Sequence, residues 1–152
     1  SSNQLKNNKV LSLIGLATKA GKTVSGEFST EKSVKTGKGF LALVADDASE
    51  NTKKKFRNMC TYYEVPLYFL SDKESLGRAM GKEFRASLAV QDENFAKAII
   101  KELEKEMHVR IFERTNKGIV VSKDGEEFLA YARQVLEQAE LLEEKQKKRQ
   151  QR

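Results

Sequence analysis

Gly37-Lys38-Gly39-Phe40-Leu41-Ala42-Leu43-Val44-Ala45-Asp46-Asp47-Ala48-Ser49 is the stretch that decides the fold class. From Phe40 to Ala45 no polar residue interrupts the run, and a glycine turn and an acidic loop bound it. A strand wetted on one face alternates, whereas a strand covered on both faces reads as continuous apolar sequence. The run therefore predicts a central strand between two layers. Upstream, Val10, Leu11, Leu13, Ile14, Leu16 and Ala17 recur at helical spacing and stop near Gly21. Thr23-Val24 has strand character, and Gly26-Glu27 opens a second helix with sparse apolar positions, Phe28 and Val34, that reaches Gly37.

Downstream, Asp46 to Ser49 supply loop and capping chemistry for a helix running to about Tyr63. A strand over residues 65–70 carries the single proline near its start, where a missing amide is tolerated. Ser71 is expected to cap a short helix holding Leu76, Ala79 and Met80, closed by Gly81. A strand over 86–90 follows, and Asp92 begins a helix through Phe95, Ile99, Ile100 and Leu103. Strands separated by helices predict an α/β fold, a three-layer α-β-α sandwich.

After Met107 the pattern changes. Val109-Arg110-Ile111-Phe112 and Gly118-Ile119-Val120-Val121 are short β-prone runs around Arg114-Thr115-Asn116-Lys117, and together they predict a hairpin. Ser122 to Glu126 then cap a long coiled-coil-like helix. Phe128, Ala132, Val135, Ala139 and Leu142 repeat at 4-3-4-3 spacing, a two-heptad seam. Such a seam packs either on the chain's own body or on a second copy, and the expectation is a homodimer through this helix. The domain division expected is 1–102 and 103–152.

Lys and Arg number 28 against 22 Asp and Glu, giving a formal charge of +6. The excess is clustered at Lys19, Lys22, Lys32, Lys35 and Lys38, then at Lys53-Lys54-Lys55 and Arg57. A lone lysine run commonly serves solubility; two clusters in one small domain point to a polyanion, most naturally nucleic acid. No apolar run is long enough to span a bilayer. The opening Ser1-Ser2-Asn3-Gln4 lacks an initiator methionine and a signal-peptide pattern and reads as a processing or cloning remnant.

The single cysteine, Cys60, excludes an intramolecular disulfide and suits a reducing, cytoplasmic setting; beside Met59 in a helix it reads as a packed thiol. With one histidine, His108, no metal site or cofactor is expected. Asp46-Asp47 and Glu126-Glu127 are adjacent carboxylates, but sequence neighbours point apart, and no nucleophile–base pair or phosphate loop accompanies them. Asp46-Asp47 reads as a cap for the helix at Glu50. Catalysis is not expected.

Residues 5 to 102 resemble the L-seven-Ae ribosomal-protein family, in its small bacterial YlxQ-like branch. The resemblance rests on Leu13-Ile14-Gly15-Leu16-Ala17-Thr18-Lys19-Ala20-Gly21-Lys22, Ser25-Gly26-Glu27, the run Ala45 to Lys55, Val65-Pro66-Leu67 and Leu76-Gly77-Arg78-Ala79-Met80-Gly81-Lys82. It implies binding of structured RNA, kink-turn or ribosomal, without catalysis. The implied contact residues are Lys22, Gly26, Glu27, Phe28, Ser29, Lys32 and Lys35, with Lys82, Glu83, Phe84, Arg85 and Ala86 from a second loop.

Physical chemistry agrees with that implication. A glycine at a helix start lets a phosphate approach amides at the positive end of the dipole. Lysines neutralise phosphates and make binding salt-sensitive. A bent RNA exposes an unstacked base that Phe84 can cover. Phe28-Ser29 departs from the Asn-Glu of archaeal and eukaryotic members, so weaker kink-turn specificity is expected. Glu27, one position earlier, is a partial substitute. Phe28 is either a core aromatic on the helix's inner face or part of the RNA face.

Residues 99 to about 144 resemble LysR-type transcription regulators, nearest the CysB-like group. The matching text is Leu103-Glu104-Lys105-Glu106, Ile111 to Gly118 and Asp124-Gly125-Glu126-Glu127-Phe128. It implies the end of a recognition helix, a wing and a dimerising linker helix. The first two helices of that family's DNA-binding domain are missing, so specific DNA recognition is not expected. Arg114, Asn116 and Lys117 at the wing tip would touch phosphates only. The chain thus reads as a fusion or chimera. The alternatives to an RNA-binding dimer are a DNA-associated dimer and an artificial hybrid with no function of its own.

Overall fold

A computed structural model of the chain describes residues 2–116 and 122–150. The elements are α1 (Ser2–Lys19), β1 (Thr23–Ser25), α2 (Glu27–Lys35), β2 (Leu41–Val44), α3 (Glu50–Tyr62), β3 (Leu67–Phe69), α4 (Lys73–Ala79), β4 (Ser87–Val90), α5 (Glu93–Asn116) and α6 (Ser122–Gln150). The sheet order is β1-β4-β2-β3. β4 pairs antiparallel with β1 and β2, and β2 pairs parallel with β3.

The two-residue period of β2 builds two cores. Leu41 and Leu43 point to one face, with Ile14, Leu76, Leu88, Val90 and Ile99. Ala42 and Val44 point to the other, with Val34, Phe56, Met59, Cys60 and Val65. Helices α1, α4 and α5 cover the first face; α2 and α3 cover the second. All four β2 residues are buried, as the continuous apolar run requires. Burial pushes the Cys60 thiol up to about 12, so it is a packed thiol at neutral pH.

The sparse apolar pattern of α2 has a structural explanation. Its inner face is Thr30, Ser33 and Val34. Ser87 Oγ lies 3.3 Å from Thr30 Oγ1, and Gln91 Nε2 donates to Ser33 Oγ at 2.9 Å. Satisfied polar pairs therefore dock much of this helix on the sheet.

Capping differs from expectation in two places. Ser49 caps α3, accepting from the Thr52 amide at 3.2 Å. Asp47 instead reaches across to α4, accepting from the Lys73 amide at 2.9 Å. Asp72, not Ser71, caps α4, accepting from the Ser75 amide at 2.7 Å. Ser71 sits at φ 58° as a turn residue. A carboxylate is the stronger acceptor at the positive end of a helix.

The expected hairpin is corrected. Helix α5 runs unbroken to Asn116, so Val109-Arg110-Ile111-Phe112 is helical rather than a strand. The second run, 118–121, lies outside the described residues, as does Lys117. Ile99, Ile100 and Leu103 anchor α5 in the core. Extending an existing helix then costs one residue's ordering per new hydrogen bond. An isolated two-stranded hairpin has no such support.

The seam of α6 is also corrected in its described half, Val135 to Leu142, which packs on the chain's own body. Val135 and Leu142 are buried, and Ala139 is half-buried. The side chains of Phe128 and Ala132 lie outside the described set. The Leu67 amide on edge strand β3 donates to Gln138 Oε1. Lys145 donates to the Gly39 carbonyl and lies 5.2 Å from the Phe40 ring centroid, while Lys148 pairs with Glu64 at 2.7 Å. An exposed strand edge invites a cover. A tethered helix supplies one without the association entropy that a second copy loses. Among the described residues, no helix is long and apolar enough to cross a membrane.

Candidate nucleic-acid interface

One end of the sheet gathers the loops of interest. Ser25 of β1 lies opposite Leu88, Val44 of β2 opposite Ser87, and Phe69 of β3 beside Val44. Helices α2, α3 and α4 therefore all start there, next to the loop 81–86. Helices α3, α4 and α5 have side-chain caps from Ser49, Asp72 and Asp92. Helix α2 has none: its cap is Gly26, with φ 90° and no side-chain hydrogen bond to the first turn. Only glycine takes that backbone angle without strain. The result is a helix N-terminus open to an anion.

The second loop is fastened beside it. Arg85 Nε donates to Ser25 Oγ at 3.0 Å, and its Nη1 donates to the Phe84 carbonyl at 2.9 Å. The Gly26 amide donates to the Ser87 carbonyl at 3.0 Å. Gly77 lets α4 pass against this loop, for a Cβ there would lie 1.5 Å from the Glu83 carbonyl oxygen. Gly77 and Ser25 are contributors that reading the sequence alone does not single out as site residues.

The two aromatics are presented outward. Phe28 is 79% exposed and Phe84 67%. Phe28 is thus not a core residue. On α2, Phe28, Lys32 and Lys35 fall at i, i+4 and i+7, one outer stripe leading away from the loops. Lys82, Glu83 and Lys32 are exposed, while Ser29 is half-buried.

The structure separates some expected partners. Lys22 precedes β1, so it lies at the opposite end of that strand from Gly26. Lys35 pairs with Glu31 at 2.8 Å, and Lys55 of α3 bridges Glu31 at 2.7 Å and Glu27 at 3.2 Å. Those two ammonium groups, Lys35 first, hold the Glu31 carboxyl below the usual carboxylate range. Lys53 and Arg57 lie 6.0 and 5.0 Å from the Phe69 ring centroid. Arg114 and Asn116 lie on helix α5, not on a wing turn. Among the described residues no cluster of His, Cys, Asp and Glu could hold a metal. Gln138 and Lys145 of helix α6 touch the starts of β3 and β2, away from the loop end.

The model of the ribosomal protein L7Ae/L30e/S12e/Gadd45 family matches residues 8–101. The chain belongs to this family. Among its L7Ae-type relatives, the RNA-binding protein YlxQ of Bacillus subtilis is 43% identical over 88 residues, 58% of this chain and 88% of that protein. The RNA-binding protein YlxQ of Enterococcus faecium is 40% identical over 95 residues, 62% of this chain and 91% of that one. A solved structure of a protein with unknown function from Bacillus halodurans shares the fold at a TM-score of 0.62 and 34% identity, covering 63% of this chain and 97% of that one. The Giardia lamblia 15.5kD RNA binding protein has the same L7Ae-type fold at a TM-score of 0.57 and 21% identity, covering 70% of this chain and 91% of that one. The matched family region ends inside α5, and α6 lies beyond it.

Proposed function

We propose that residues 1–102 bind structured RNA of the kink-turn type, without catalysis, through the uncapped start of α2 and the adjoining loop 82–86. The observation that carries the reading is the bare N-terminus at Gly26, flanked by exposed Phe28 and Phe84. A phosphate accepts from the first-turn amides, and an unstacked base covers an aromatic ring. The names of the two YlxQ relatives support RNA as the ligand. Lys32 and Lys82 supply phosphate contacts on either side. Arg85 keeps the two loops in register rather than reading a base. Phe28-Ser29 makes recognition depend on shape and stacking more than on hydrogen bonds to the kink's paired bases.

The DNA-associated reading has no support in the fold, because α5 carries Arg114 and Asn116 in a helix where a wing turn was needed. Pairing of two copies through α6 is not required for this function.

Lys32→Ala tests the placement. It is expected to weaken RNA binding severalfold and to lower the salt slope by about one. Lys22→Ala, beyond the far end of β1, is expected to do less. Equal effects of the two variants on affinity and slope would mean a diffuse basic surface rather than this interface.

A further inference from the structure

Helices α2 and α3 start at the same end of the sheet and run side by side, leaving an open groove of about 430 Å³ between them. Tyr62 stands at its far end, 79% exposed. Its ring meets Tyr63 edge-on, with centroids 4.8 Å apart and planes at 73°. That contact fixes the Tyr62 ring while leaving it open to solvent. We propose that this groove carries single-stranded RNA away from the α2 N-terminus, with Tyr62 as a stacking platform for a base. The proposal rests on the RNA-binding reading above and extends its footprint.

Three observations favour a nucleic-acid strand. The groove adjoins the candidate interface through Lys35, which lines it and continues the stripe of Phe28 and Lys32 along α2. Its charge suits a polyanion. Glu31 is the acid in its lining; it pairs with Lys35 and Lys55 at 2.8 and 2.7 Å, and Lys55 also holds Glu27 at 3.2 Å, so both carboxylates beside the groove are balanced by ammonium groups. Such exposed pairs contribute little to the fold, so a phosphate can take over either ammonium. Lys32 and Lys54 lie exposed on the outer crests of the two helices.

The groove's length also fits. On α3 its lining runs from Lys55 to Tyr62. At 1.5 Å per residue that is roughly 10 Å, the rise of about three stacked nucleotides. A protein partner fits less well, because the apolar lining is confined to Met59 and two tyrosine rings, rimmed by lysines and Asn58.

The test uses the full chain and a kink-turn duplex, either blunt or carrying a single-stranded tail of about eight nucleotides on one end or the other. Wild type, Tyr62→Ala and Tyr62→Phe are titrated with each. One tail is expected to raise wild-type affinity about tenfold, the lower range for a stacked base. Tyr62→Ala should abolish that gain and leave blunt-duplex binding unchanged; Tyr62→Phe should keep it. A tail without effect on wild type, or a gain indifferent to Tyr62→Ala, overturns the groove while the loop-end interface stands. Failure to bind the blunt duplex overturns the loop-end reading, and this proposal with it. If sedimentation shows a wild-type dimer that Tyr62→Ala dissociates, the groove belongs to a second copy and the proposal is wrong.

Discussion

Gly77→Ala is expected to lower the melting temperature by roughly 10 °C, because of the described glycines this one has the least room for a methyl group. In an ordinary helix interior the same substitution stabilises by up to about 1 kcal/mol. Here the new Cβ would lie 1.5 Å from the Glu83 carbonyl oxygen, 2.5 Å from its carbon and 3.2 Å from the Lys82 oxygen. All three are backbone atoms and cannot rotate aside. The loop cannot retreat cheaply either. The Lys82 amide donates to the Gly77 carbonyl at 2.8 Å and the Arg85 amide to the Lys73 carbonyl at 3.0 Å. Overpacking costs about 1–3 kcal/mol, and each hydrogen bond broken by the shift adds about 1. A total near 3 kcal/mol follows, read directly in a thermal melt. An unchanged or raised melting temperature would show that the loop is not pressed against α4.

The second large effect falls on binding. The double variant Phe28→Ala, Phe84→Ala is expected to lose about a hundredfold in RNA affinity. A base stacked on an aromatic contributes about 1–3 kcal/mol by alanine substitution, so two such contacts reach that factor. Stability should hardly change, because exposed side chains away from special features contribute within about 0.5 kcal/mol. Titration and a melt on the same preparation separate the outcomes. Retained affinity would remove the aromatics from the interface. A collapse in melting temperature would make them structural instead.

Much of the sandwich was legible in the sequence because its signals were local. Phe40 to Ala45 carries the signature of a strand covered twice, and the structure buries every residue of β2. Signals that depend on the partner were not legible. Helix α2 looked weak because its docking face is Thr30 and Ser33, whose partners Ser87 and Gln91 lie far along the chain. Val109 to Phe112 has strand propensity, but a helix already anchored at Leu103 propagates through it. The stripe on α6 was correctly apolar, yet a stripe does not say what covers it. Here Val135 and Leu142 cover the chain itself.

The candidate site divides in the same way. Gly26, Phe28, Phe84 and Arg85 were named from sequence, and the antiparallel pairing of β1 with β4 brings their loops to one end. Lys22 looks equivalent to Lys32 until β1 stands between it and Gly26 as a strand, and Lys35 looks free because spacing alone does not show that Glu31 holds it in a pair shared with Lys55 of another helix. Gly77 was invisible as a site residue, since its role is to have no side chain where Glu83 passes.

The most direct test of the central claim is titration of a kink-turn duplex and a straightened control of the same composition at two salt concentrations. The account predicts selective binding of the kinked RNA, with affinity falling steeply as salt rises. Equal, weak binding to both duplexes would contradict it, leaving a basic surface that attracts RNA without recognising its shape.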